Sequence, residues 1–162
     1  MISHRLFSRI LPLFLAVSPV FSLVAAPSVA QADPVTAKAE ILVMHASQQE
    51  KGAIDPRIGS MPRLKQPPFS AYNNYALVDR KELPLEIGKE ATYALPNGRV
   101  LRLTVSPGKS AGLYTILASI AEADGKAALK RVEVSAKEGE PFFVAGQTYK
   151  DGILVLGIAV KK

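Results

Sequence analysis

Hydrophobic and polar residues alternate along most of this chain with the two-residue period of β-strands. Val35, Ala37, Ala39, Ile41 and Val43 fall on one face of a strand over residues 35–46, with Thr36, Lys38 and Glu40 opposite. At Leu42 and Met44 the second face turns apolar, so that end of the strand is expected to be covered on both sides. Residues 74–83 form the next strand, with Tyr75 and Leu77 on one face, and Pro84 is expected to end it. Residues 113–122 alternate Tyr114, Ile116, Ala118 and Ile120 against Leu113, Thr115, Leu117 and Ser119. Asp124-Gly125 signals a hairpin turn. The return strand, residues 127–136, sets Ala128, Lys130, Val132, Val134 and Ala136 against a solvated face of Leu129, Arg131, Glu133 and Ser135. Residues 142–147 and 153–160 make a last hairpin around Lys150-Asp151-Gly152. Residues 153–160 include no polar side chain, as expected of a central, doubly covered strand.

Residues 91–105 form a hairpin around Pro96-Asn97-Gly98. A two-residue turn on Asn97-Gly98 would pair Leu95 with Val100 and split the apolar residues between faces. A type I turn closed by a left-handed Gly98 pairs Leu95 with Arg99 and Tyr93 with Leu101. Ala91, Tyr93, Leu101 and Leu103 then share one face. Pro96 suits the second position of a type I turn, and one-sided burial favours this register. About eight mostly antiparallel strands at regular spacing, without a sustained amphipathic helix, predict an all-β, single-domain β-sandwich or small barrel.

Two stretches break the alternation. Residues 1–32 begin with His4, Arg5 and Arg9, continue as an apolar run from residue 10 to 24 that includes Pro12 and Pro19, and end at Ala30-Gln31-Ala32. That is the order of a secretory signal peptide, too short and Pro-broken for a good membrane span. The working domain is expected to be residues 33–162, exported to the periplasm or the medium. The second stretch is a Pro-rich connection, residues 47–71, with Pro56, Pro62, Pro67 and Pro68. Asp55-Pro56 can open a short helical turn that Gly59 and Pro62 limit. Ile54, Ile58, Met61, Leu64 and Phe69 are anchors that would pack the connection on the sheet. Its 25 residues far exceed the usual ~4–6 of a connection in a compact domain.

Composition narrows the chemistry. Residues 1–32 hold two of the 20 Lys and Arg and none of the 14 Asp and Glu, which leaves 18 against 14 and a net charge of +4 in the exported part. This supports at most a weak attraction to anionic surfaces, and the dispersed basic residues form no nucleic-acid-binding tract. The absence of cysteine removes thiol catalysis and thiolate metal sites. Outside the leader His45 is the one histidine, a poor start for a transition-metal site and more naturally a rim residue than a catalytic base. Gly108-Lys109-Ser110 has the tail of a phosphate-binding loop, but Leu103 stands where the pattern needs glycine. Glu122, Asp124, Glu138, Glu140 and Asp151 sit at turns, where carboxylates are ordinarily solvated. Adjacent Phe142 and Phe143 must point to opposite faces. One enters the core, and the other needs the Pro-rich connection as cover or serves as an apolar recognition patch. No catalytic, cofactor-binding or metal-binding residue is therefore assigned, and no cofactor is expected.

Ile54-Asp55-Pro56, Pro67-Pro68-Phe69 with Tyr72, Pro96-Asn97-Gly98-Arg99, Gly139-Glu140-Pro141-Phe142-Phe143-Val144 and Gly152-Ile153-Leu154 together resemble small exported bacterial β-proteins of unknown function. The resemblance spans most of residues 33–162. It implies an exported β-domain and carries over no activity or site residue. The expected role is that of a non-catalytic binding or accessory protein of the bacterial envelope, meeting an envelope or secreted protein through Arg57, Met61, Arg63, Leu64, Lys65, Phe69 and Tyr72. A secreted protease inhibitor presenting the same connection, or a hydrolase using turn carboxylates, are the alternatives. The competing role for residues 47–71 is a plug over one end of the sandwich.

Overall fold

A computed structural model describes residues 36–122, 124 and 126–162. The predicted signal peptide, Val35 and Gly125 of the predicted turn lie outside the described residues. The strands are β1 (Thr36–Ser47), β2 (Asn74–Glu86), β3 (Glu90–Ala94), β4 (Val100–Pro107), β5 (Leu113–Ala121), β6 (Ala127–Lys137), β7 (Phe142–Tyr149) and β8 (Gly152–Lys161). They form two antiparallel four-stranded sheets, ordered β2-β1-β8-β7 and β3-β4-β5-β6. The architecture is an open sandwich rather than the barrel left as an alternative.

The core lies between the sheets. Ile41, Leu101, Leu103, Ile116, Ile120, Leu154, Leu156 and Ile158 are wholly buried there. β8 sits between β1 and β7, and every residue from 154 to 160 is buried, as its apolar run predicts. The β3–β4 hairpin takes the expected turn. Gly98 N–H donates to Leu95 C=O at 3.0 Å, Leu95 N–H donates to Arg99 C=O at 2.7 Å, and Tyr93 pairs with Leu101. Gly98 adopts φ +79°, a conformation that glycine reaches without steric cost.

Two expectations are corrected. β2 runs through Pro84, which pairs with Lys38, to Glu86. Proline is tolerated because β2 is an edge strand with no neighbour on its outer side there. In β6, Ala118 pairs with Val132 but Ile120 pairs with Leu129, so two residues, Lys130 and Arg131, oppose Ser119. This bulge turns Leu129 onto the core and takes Lys130 off the core-facing row, sparing a buried charge. A similar bulge at Val78 leaves that side chain 37% exposed. It keeps Leu77 on the outer face while Asp79 reaches the Tyr93 hydroxyl across the sandwich. Burial, then the neighbouring Asp79, raises the Tyr93 phenol above its ordinary range.

Candidate functional site

The Pro-rich connection does not hang free; it covers the outer face of the β2-β1-β8-β7 sheet. Three 3-10 turns punctuate it, η1 (Pro56–Ile58), η2 (Pro62–Lys65) and η3 (Phe69–Ala71). Each buries one apolar residue: Ile58, Leu64 and Phe69. These pack with Met44, Ala46, Tyr75 and Val155 in a cluster separate from the inter-sheet core. The prediction that β1 gains a second apolar face at Met44 is explained by this cover. Phe142 enters the inter-sheet core, whereas Phe143 turns outward and meets the Phe69 ring at 5.4 Å.

Polar contacts fix the entry and exit of the connection. Tyr75 N–H donates to Ala53 C=O and Asp55 N–H donates to Tyr75 C=O, both at 2.8 Å. Asp55 caps η1 by accepting from Arg57 N–H at 2.9 Å, and its other oxygen accepts from Leu77 N–H at 3.3 Å. The Arg57 guanidinium lies 2.6 Å from the same carboxylate. These donors, Arg57 foremost, hold the Asp55 carboxyl well below the usual carboxylate range. Arg80 donates to Arg57 C=O at 2.7 Å and pairs with Glu40 at 3.0 Å, tying η1 to the sheet. Lys161 also binds Glu40 and, with Arg80, lowers its carboxyl pKa. At the far end the buried Tyr75 hydroxyl donates to Phe69 C=O at 2.7 Å. Burial, with Tyr72 nearby, pushes the Tyr75 phenol up to about 12.

The seven residues singled out from sequence divide by depth. Leu64 and Phe69 are 2% and 7% exposed, so their side chains anchor the connection from beneath. Met61 and Tyr72 are half-buried against the same cluster. Arg57, Arg63 and Lys65 are exposed, Arg63 donating to Gln66 at 3.1 Å. Met61, Arg63 and Phe69 meet in a groove of about 870 Å³, whose opposite wall is Pro141, Phe142 and Phe143. A smaller hollow of about 500 Å³ brings Met61 and Lys65 beside Asp55. The site residues singled out from sequence did not include β7, but the Phe142-Phe143 pair was expected to send one ring to the core and the other to the connection, and Phe142 and Phe143 do so.

The remaining candidates are dispersed. His45 lies at the end of β1, with Nε2 3.2 Å from Asp151 and its ring edge-on to Tyr149 at 5.5 Å. Gln49 joins Asp151 to the buried Ser47 hydroxyl, at 3.3 Å to each. This network holds the β7–β8 turn against β1. Glu122 pairs with Arg99 at 3.2 Å, Asp124 with Lys126 at 3.0 Å, and Glu138 accepts from Lys162 N–H at 3.0 Å. Gly108 opens the β4–β5 turn, its N–H bonded to Leu113 C=O at 2.8 Å. Among the described residues, no group of three or more His, Asp or Glu side chains is placed to hold a metal ion. Comparison of the chain with protein-family models, curated proteins and solved structures finds no match.

Proposed function

We propose that the chain is an exported, non-catalytic binding protein of the bacterial envelope. Its binding surface is the groove between η2–η3 and the start of β7, lined by Arg63, together with the exposed Lys65 and Arg57 elsewhere on the connection. The partner is another envelope or secreted protein. Export is supported by the order of residues 1–32: basic start, apolar middle, Ala30-Gln31-Ala32. The observation that carries the binding reading is the way the connection is held. Ile58, Leu64 and Phe69 pin it from below, and Asp55, Arg80 and Tyr75 pin it at both ends. A surface ordered before binding loses little entropy when a partner arrives. The groove pairs apolar walls with an exposed arginine, and arginine and aromatic residues are prominent among residues that carry binding energy.

The test separates binding from folding. Arg63 and Lys65, which among the described residues make no ion pair with the connection's anchors, are changed together to Ser in the full chain, exported in a bacterial host. Exposed charges contribute little to stability, so the melting temperature should hold. Capture of partners from envelope extract should be lost. Undiminished capture would place the binding surface elsewhere.

A further inference from the structure

The two sheets have four edges, and three are blunted against strand addition. β2 includes Pro84 and is bridged by residues 53–55 at Tyr75. β3 has only 5 residues. β7 is bulged at Gly146, and its Thr148 C=O is met by Asn97. β6 is longer than β3 and β7: 11 residues with neither Pro nor Gly, pairing among the described residues with β5 alone, its bulges at Ala128 and Lys130-Arg131 lying in its first half and leaving residues 132–137 regular. Val132 lies at its midpoint. It pairs with the wholly buried Ala118 and so belongs to the core-facing row, yet it is 37% exposed.

We propose that the outer edge of β6 is a self-complementary dimerisation surface. A second copy of this chain adds its own β6 antiparallel, with Val132 opposite Val132 of the second copy. The two β3-β4-β5-β6 sheets thereby join into one continuous sheet of eight strands.

Charge and register select this occupant. In a two-fold antiparallel pair, residues directly opposite share a face, so the symmetry axis passes through a residue rather than between two. Placing the axis at residue 130 sets Lys130 on Lys130; at 131 it sets Arg131 on Arg131; at 133 it sets Glu133 on Glu133. At 134 it sets Arg131 opposite Lys137. Only at Val132, among these five, are the ionic contacts favourable, with Arg131 of each copy opposite Glu133 of the other. Like charges directly opposite destabilise a strand pair, and unlike charges stabilise it. The bulged Lys130 shares the place of Arg131 opposite Glu133, so Leu129 then meets Val134 and core-facing residues stay opposite core-facing residues. The same register also covers Val132 with its counterpart. The charges of β6 thus oppose pairing with the axis at residue 130, 131, 133 or 134 while favouring it at 132.

Sedimentation of the full chain over a concentration series, up to millimolar, tests the proposal. A monomer–dimer equilibrium that weakens with added salt is expected. Arg131→Glu alone and Glu133→Arg alone each create two like-charge contacts and should weaken dimerisation by at least about tenfold. The double exchange restores the unlike pairs and should restore the dimer. The chain has no cysteine, so Val132→Cys supplies an independent readout. Mild oxidation should give a disulfide-linked dimer from Val132→Cys and none from Ser135→Cys, whose counterpart in this register lies at residues 127–128. A chain that stays monomeric throughout, single-charge variants that dimerise as well as the wild type, or a dimer in which Val132→Cys does not cross-link would each overturn the proposal.

Discussion

Leu64→Ala tests whether the Pro-rich connection is anchored from beneath. Leu64 is 2% exposed and packs with Ile58, Phe69, Met44, Tyr75 and Val155. Truncation removes three carbons, about 2.4 kcal/mol of transfer free energy at ~0.8 kcal/mol each. A cavity adds to this, and buried Leu→Ala changes span ~2–5 kcal/mol. The connection lies at the surface and can settle inward, which favours the lower part of that range, about 2–3 kcal/mol. Because the outer cluster is separate from the inter-sheet core, the loss falls first on local lifting of the connection. Trypsin reports that opening at Arg57 and Lys65. When reclosing outpaces cleavage, the rate follows the open population. A loss of 2–3 kcal/mol then means cleavage about 30- to 150-fold faster, at tenfold per ~1.4 kcal/mol. The fragments are identified by mass spectrometry, alongside a urea melt of the intact protein. Cleavage within about twofold of the wild type would show that Leu64 does not hold the connection down, and the reasoning would fail.

Three further outcomes are expected. Gly98→Val should cost more than ~1 kcal/mol in thermal unfolding, because a β-branched residue is strained at φ +79°, and Gly98→Asn should cost less. Asp55 has its carboxyl pKa lowered from 3.8, so its contribution is complete above that value and is lost as pH falls through the folded-state pKa. The melting-temperature difference between the wild type and Asp55→Asn should therefore narrow on acidification from about pH 5 to pH 2. Arg99 donates to Gln147, which is 4% exposed, so Arg99→Ala should cost about 1–3 kcal/mol by stranding a buried acceptor. Changing both residues to Leu should cost less than the sum of the single changes, read from a double-mutant cycle in urea.

What could be read from the chain was local or one-sided. The apolar run at residues 153–160 fits only a strand covered on both faces, and β8 is one. Pro96-Asn97-Gly98 determined its turn through proline's fixed φ and glycine's freedom. Asp55-Pro56 marked a capped turn, and the Asp55 side chain caps it. Illegible features depended on neighbours distant in sequence. Pro84 reads as a strand terminator unless β2 is known to be an edge. The bulges at Val78 and at Lys130-Arg131 answer cross-strand demands, keeping Leu77 under the connection and Lys130 off the core. Arg57, Arg63 and Lys65 were visible as basic residues of the connection, but the groove that Arg63 lines was not, because β7 supplies its other wall. Leu64 and Phe69 were legible as apolar residues in a long connection; their depth required the sheet beneath them.

The proposed binding surface is tested most directly by amide chemical-shift mapping of isotope-labelled chain against any partner captured from envelope extract. We expect the shifts to concentrate at residues 57–69 and 140–145, with the outer face of the β3-β4-β5-β6 sheet unmoved. Shifts confined to that outer face, with residues 57–69 unmoved, would contradict a binding role for the pinned connection.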